Sequence, residues 1–192
     1  MAETTAVPPQ PQPQEPPPPR LRPLRRDDWA ELVEVYRDAV RSQASGLYSR
    51  QQIEAWAEHA GRSGDLAAAL ARGQGLASLG APPAEPIEAF ALLDPADRLS
   101  LLYCRGRSCR QGRARALLQA LELTARRGGI RRLRTEASQL SRPLLERCGW
   151  QLEAEEEVLF AGVRFRRWRM IKPLDGPEPW SEDGRSPAAA VP

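Results

Sequence analysis

Apolar positions recur along this chain in two rhythms, the three- and four-residue spacing of a helix and the two-residue spacing of a strand. The helical rhythm dominates the front. Leu32, Val35, Tyr36, Ala39 and Val40 form one stripe, with Asp28 placed to cap its start and Glu31 three residues on to complete a capping box. After Gly46, Ser49 is placed to cap a second helix that carries Ile53, Trp56 and Ala57 on one side, and an Ala-rich third helix spans residues 65–71, stopping at Gly73. Ahead of all three, the short apolar run at 20–24, bounded by prolines, suits an edge strand, where Pro23 does least harm.

The period then changes. Short apolar runs at 75–79 and 87–93, separated by a Gly/Pro turn at 80–86, predict two neighbouring antiparallel strands. A third strand at 99–104 follows a turn made by Asp94, Pro95 and Asp97. Helical spacing returns over 112–127, with Ala114, Leu117, Leu118, Leu121 and Ala125 on one face and Gly128-Gly129 as the stop. Residues 130–135 read as a strand that, following a helix, should lie parallel to the one before it and complete a βαβ unit. A further helix at about 138–148 leads through Gly149 into Trp150 and Leu152. The alternating runs 157–160 and 163–171 then form a hairpin about Ala161-Gly162. The expected fold class is α/β.

Composition sets the limits of the folded part. Of the 192 residues, 1–19 are nearly all Pro, Gln, Glu, Thr and Ala, and 175–192 are rich in Gly, Pro, Ser and Ala. Such segments have too little apolar surface to offset the entropy of ordering them, so both are expected to be disordered tails on one domain at 20–174. No apolar run approaches a membrane span and no secretory signal is visible, so the expected location is cytoplasmic. Cys104, Cys109 and Cys148 lack metal-site spacing and read as core or loop residues in a reducing compartment; no metal is expected. The net charge of +3 is mild, and basic residues are all arginine apart from Lys172. That reflects an arginine-biased composition rather than nucleic-acid recognition, and polyanion binding is kept as a minor alternative.

One stretch concentrates candidate chemistry. Between residues 98 and 125 an apolar strand breaks into a loop and re-emerges as a helix, and Arg105, Arg107, Arg110, Arg113 and Arg115 crowd the junction. The only carboxylate there is Glu122. Free N–H groups in the first turn of a helix point along its axis and suit phosphate, so the junction reads as an anion site.

The same residues resemble the GCN5-related N-acetyltransferases, the GNAT family. The family's phosphate loop, Q/R-x-x-G-x-G/A, aligns with Cys109, Arg110, Gln111, Gly112, Arg113 and Ala114. LRTEAS at 133–138, SRPLLERCGW at 141–150, FRRWRMIK at 165–172 and LYSRQQIEAW at 47–56 are similar to a bacterial branch of that family. The resemblance implies a mixed, mostly antiparallel sheet that splays at its middle, with helices on both faces. It implies acetyl-CoA as cosubstrate, a pantetheine arm along Leu102, Tyr103 and Cys104, and a pyrophosphate held by residues Cys109 to Arg115. The reaction implied is direct acetyl transfer to an amine of a small molecule or a protein.

The sequence also departs from the family pattern. Cys109 replaces the loop's opening Gln or Arg, Ser100 stands where an acidic residue is common, and Leu144-Leu145 replace an aromatic pair that often supplies a Tyr acid. A catalytically degenerate domain that binds coenzyme A as a sensor or interaction module is therefore the competing reading. Glu136, at the end of the strand after the phosphate helix, is the favoured acid or base, against a capping or salt-bridge role; Tyr103 is the second candidate, against a core role. Glu88 alternates among apolar neighbours and is expected to face solvent, His59 to be solvated at a polar helix end, and Cys148 to pack. Tyr48 and Trp56 read equally as substrate wall and as core. Arg164, Arg166, Arg167 and Arg169 form either a solvated face or a site for an acidic acceptor. Oligomeric state leaves no trace in the sequence.

Overall fold

In the computed structural model, residues 18–62 and 64–175 are described; most of both expected tails, residues 1–17 and 176–192, lies outside them. Seven strands and five helices follow in the order β1 Leu21–Pro23, α1 Trp29–Gln43, α2 Arg50–Arg62, α3 Asp65–Arg72, β2 Gln74–Leu79, β3 Ile87–Leu93, β4 Leu99–Cys104, α4 Arg113–Arg127, β5 Arg132–Ala137, α5 Arg142–Arg147, β6 Gln151–Phe160 and β7 Val163–Pro173. Strands β1 to β4 form an antiparallel meander, and β5, β7 and β6 form a second antiparallel group in that spatial order.

All seven residues of β3 are buried because this strand is covered on both faces. Ala89, Ala91 and Leu93 pack with Leu117, Leu118 and Leu121 of α4, while Ile87 and Phe90 pack with Leu32, Val35 and Tyr36 of α1. Helices thus lie on both faces of the sheet, as expected. Each fully buried Leu or Phe side chain contributes about 1.5–3 kcal/mol, so these two layers fix the meander between them.

The two groups meet along β4 and β5, and they meet only at one end. The expected parallel pairing shrinks to a single bridge, Arg98 with Arg134, supported by the Arg134 amide donating to Asp97 O at 2.9 Å and Thr135 Oγ1 donating to Leu99 O at 2.7 Å. Beyond that point the strands diverge. Strand β5 takes its ladder from β7 instead, in antiparallel register from Arg132 with Pro173 to Ala137 with Trp168.

Several local expectations need correction. Ser49 and Gln52 do form a capping box at α2, with the Gln52 amide on Ser49 Oγ at 3.2 Å and the Ser49 amide on Gln52 Oε1 at 2.9 Å. Asp28 and Glu31 do not form one at α1. The Asp28 carboxylate takes two bonds from Arg22 and one from the Arg25 amide, and Glu31 accepts from the Ile87 amide at 2.7 Å. The helix expected over 138–148 is only Arg142–Arg147. Upstream, the hydroxyls of Ser138 and Ser141 bond each other and each other's backbone amides, a local alternative to helix.

Candidate active site

A cleft opens where β4 and β5 part, and the ladder determines what lines it. Arg105 N donates to Glu88 O at 2.8 Å, so by the alternation of an antiparallel ladder Tyr103 also turns its backbone groups to β3. Leu102 and Cys104 therefore turn theirs to the open edge. Leu102, Cys104, Ala114, Leu144 and Ser141 line this cleft. One open group is already engaged: Gln43 Nε2 donates to Cys104 O at 2.7 Å.

A β-bulge marks the start of β4. Leu92 pairs with Leu101 and Leu93 with Leu99, which leaves Ser100 unpaired as the extra residue. Its hydroxyl donates back to Leu92 O at 3.1 Å. Ser100 thus serves the bend of the strand and occupies the point where the cleft passes to its second arm.

The connection after β4 is pinned at several points. Gly106 N donates to Asp38 at 2.7 Å, and a Cβ at Gly106 would stand 2.5 Å from Ser42 Oγ. Glu88 corrects its expected place: it is the extra residue of a bulge in β3, and because that strand is covered on both faces neither side of it meets solvent, leaving Glu88 5% exposed. Arg107 and Ser108 both donate to its carboxylate, Ser108 Oγ at 2.6 Å. Burial alone would raise the Glu88 pKa, but the Arg107 and Ser108 bonds and the charges of Arg107 and Arg105 hold it below the usual value.

From there the chain enters α4 through two left-handed residues, Arg110 at φ 60° and Gly112 at φ 75°. A Cβ at Gly112 would meet no atom within 4 Å, so the approach to the backbone there is open. Arg113 does not reach toward that space. Its guanidinium is bound to Ser78 Oγ at 2.9 Å and Leu79 O at 2.7 Å, which clips the start of α4 to β2. Arg110 and Gln111 are exposed, Cys109 is half-buried, and Arg115 is exposed on the first turn.

The second arm is a cavity of about 430 Å³ on the other side of the bulge. Trp56, Ser100, Leu101, Tyr103, Glu136 and Ser138 line both arms, so they surround the passage between them. Glu136 Oε2 accepts from Arg98 Nε at 2.8 Å and Nη2 at 2.6 Å, while its Oε1 makes no hydrogen bond among the described residues. The salt bridge weighed in the sequence is therefore present, and the carboxylate still borders the passage.

Tyr103 stacks on Tyr36 at 4.1 Å, and its hydroxyl accepts from Trp56 Nε1 at 3.2 Å. Burial pushes its pKa up to about 12, so the phenol keeps its proton. Burial, with Cys109 alongside, likewise pushes the Cys104 thiol up to about 12. Tyr48, raised by burial, accepts the Gln139 amide at 2.9 Å and touches Ser138. His59, expected to be solvated, is half-buried with its ring 4.2 Å from Phe160 and lines the second arm. Cys148 packs as expected, 5% exposed.

Sequence reasoning missed Gln43, Arg98, Ser138 and Ser141. The Ser-x-x-Ser spacing was the one local signal for the last two; Gln43 and Arg98 reach the site only through tertiary contacts. Among the described residues no group of three His, Cys, Asp or Glu stands together to hold a metal. No helix there is long and apolar enough to cross a membrane.

A meander that splays from a parallel neighbour, with a bulge at the split and a glycine-started helix beside it, defines the fold class of the GNAT acyltransferases. A family model described as an acetyltransferase (GNAT) domain matches residues 45–172, and the chain belongs to that family of acetyl-CoA-dependent N-acetyltransferases. Among solved structures, it is similar to a GCN5-related N-acetyltransferase from Rhodopseudomonas palustris, with 24% identity, 81% of this chain and 95% of that one covered, and a TM-score of 0.75. It is also similar to the PaiA N-acetyltransferase from Thermoplasma acidophilum in complex with coenzyme A, at 19% identity, 80% and 98% coverage, and a TM-score of 0.65. A phosphinothricin acetyltransferase from Sinorhizobium meliloti in complex with acetyl-CoA matches at 18% identity, 81% and 88% coverage, and a TM-score of 0.57. At these identities the likeness establishes the fold. No curated protein matches the chain.

Proposed function

We propose that this protein transfers an acetyl group from acetyl-CoA to the amine of an acceptor by direct attack, inside the reducing cytoplasm that suits its three free cysteines. The observation that carries the reading is the pair of arms meeting at Ser100, Tyr103 and Glu136: one arm is edged by unpaired strand backbone and the other is a separate cavity. Two reactants entering from opposite sides would meet at that passage, and holding them there can supply much of the rate.

The chain fits the cosubstrate. Leu102 and Cys104 offer backbone groups to a pantetheine arm lying as an extra strand, and Gln43 yields or shares the Cys104 carbonyl. The amides of Gln111 to Arg115 and the positive end of α4 would hold the pyrophosphate, with Gly112 keeping the approach open. Of the arginines at this junction, Arg107, Arg110 and Arg115 are exposed, Arg107 being bound to Glu88; Arg113 serves by fixing the helix start. Bound acetyl-CoA supplies the thioester acetyl group.

Glu136 is placed to take the proton from the incoming amine, directly or through a water, with Arg98 fixing its carboxylate and Oε1 left to work. Tyr103, protonated at every physiological pH, is placed to donate to the leaving sulfur, and the Trp56 bond on its oxygen orients the hydroxyl. A thiol-release assay with an amine panel tests the reading. Turnover that depends on an amine supports it, and coenzyme A binding without release under any amine would support the sensor reading instead.

A further inference from the structure

The second arm has a composition that selects its occupant. Four arginines, Arg72, Arg98, Arg166 and Arg167, line it against two carboxylates, Asp94 and Glu136. The partners of the hairpin arginines, Glu155 and Glu156, sit on β6 outside the lining. Each guanidinium faces one carboxylate, Arg72 with Asp94 at 2.9 Å, Arg98 with Glu136 at 2.6 Å, Arg166 with Glu155 at 3.1 Å and Arg167 with Glu156 at 2.5 Å, so the charges balance, and what the cavity offers an anionic group is the N–H donors that these pairs leave unused.

One guanidinium is set to receive that group. Residue alternation along β7 puts Arg167 on the same face as Phe165, which lines the cavity. Arg167 gives its Nε–H to Glu156 Oε1 at 2.5 Å, and its two Nη groups make no hydrogen bond among the described residues. Arg98 likewise keeps Nη1 unengaged while Nε and Nη2 hold Glu136. A planar fork with one edge fixed and the other open is the arrangement that binds a carboxylate well.

Beside these charges stands an aromatic wall. Tyr48, Trp56 and Phe165 are mutually packed with ring centroids 5.4 to 6.1 Å apart, and Phe160 continues the wall 5.7 Å from Phe165. Their faces offer an apolar body flat contact, and the volume of about 430 Å³ is that of a small-molecule site.

We propose that the acceptor is a small zwitterion, a free amino acid or close analogue with an aromatic or other large apolar side chain, whose carboxylate is held by Arg167 and Arg98 while its amine reaches Glu136. This rests on the acetyl-transfer reading of the same site. The ammonium of the zwitterion first loses one proton by way of Glu136 to solvent; the neutral nitrogen then bonds to the acetyl carbon, the carbon–sulfur bond of the thioester breaks, Tyr103 protonates the departing sulfur to give coenzyme A, and the second proton lost from nitrogen restores the phenol.

Thiol release by the full chain with acetyl-CoA is measured against three matched acceptor sets: phenylalanine, tyrosine and tryptophan, their amides, and the corresponding amines lacking the carboxylate. At least one amino acid should exceed its amide and amine in kcat/KM by about tenfold or more, as a charge-assisted hydrogen bond predicts. Arg167→Gln should bring that preference close to unity through KM, and Arg164→Gln, an exposed neighbour outside the cavity, should leave the preference intact. Equal turnover of amine and acid, an Arg167→Gln effect shared equally by all three sets, or silence from every acceptor while acetyl-CoA binds would each overturn the acceptor proposal alone. Absence of acetyl-CoA binding by calorimetry would overturn the function beneath it as well.

Discussion

Replacing Lys172 by methionine strands a carboxylate in the core on the inner face of α4. Lys172 on β7 and Glu122 on α4 are paired at 2.7 Å, with side chains only 5% and 3% exposed. The ammonium also donates to Cys148 O at 2.6 Å, just past α5, and Trp150 Nε1 reaches Glu122 Oε1 at 3.3 Å. One buried pair thus ties together α4, β7 and the end of α5. Removing the cation leaves Glu122 with a single long bond from an indole, and breaking a buried pair in this way costs about 3–5 kcal/mol. Against a domain stability of about 5–15 kcal/mol, that is a large fraction. With a urea m-value of about 2 kcal/mol/M, the midpoint should fall by about 1.5–2.5 M, followed through the fluorescence of Trp150 and Trp168. Lys172→Met with Glu122→Leu should recover most of the loss, because the pair then goes as a unit. A single variant within about 0.5 kcal/mol of the parent, or a double variant no better than the single, would refute the reasoning.

Other outcomes follow from the site. Tyr103→Phe should lower kcat by about 100-fold if the phenol protonates the leaving sulfur, with little change in thermal midpoint; unchanged turnover would return Tyr103 to the core. Burial raises both Tyr48 and Tyr103, the latter to about 12, so absorbance titration through pH 10 should leave one fewer un-ionised tyrosine in the Phe variant than in the parent. Asp28, bonded to Arg22, and Glu88, where the Arg107 and Ser108 bonds outweigh burial, have pKa values lowered by folding. The native state therefore binds fewer protons in acid than the unfolded chain. The stability these two groups supply is complete above their unfolded values of about 4 and is lost as pH falls through their folded ones. Asp28→Asn with Glu88→Gln should flatten the stability–pH curve below about pH 5, and an unaltered curve would contradict the assignment.

How far the sequence disclosed this depended on the range of the interaction involved. The meander, the amphipathic α4 and the final turn at Ala161-Gly162 were legible because periodicity and turn chemistry are local. The Ser49 cap of α2 was legible for the same reason, whereas Asp28 and Glu31 were claimed by Arg22 and the Ile87 amide, the latter 56 residues from Glu31. Glu88 was misplaced because alternation implies a solvent face, which a strand covered on both sides does not have. The split between β4 and β5 was expected only through the family resemblance, since no spacing in the chain says that a ladder will stop after one bridge. In the site, the phosphate-loop stretch was readable from its glycine and arginines. The engagement of the Arg113 guanidinium with β2 was not legible, because Ser78 and Leu79 are brought to it only by the fold. The open forks of Arg98 and Arg167 exist only in three dimensions.

Isothermal titration of acetyl-CoA into the wild-type chain and into Gly112→Glu is the most direct test of the central claim, that the cleft between β4 and β5 and the start of α4 form the cofactor site. Position 112 is left-handed and open, so the glutamate places a negative charge where the pyrophosphate belongs, a repulsion of about 2–3 kcal/mol, on the order of 100-fold in affinity. The wild type should bind one equivalent at micromolar affinity, and Gly112→Glu, with an unchanged circular dichroism spectrum, should bind at least about 100-fold more weakly. No heat from the wild type at millimolar ligand, or undiminished affinity in the variant, would contradict the account.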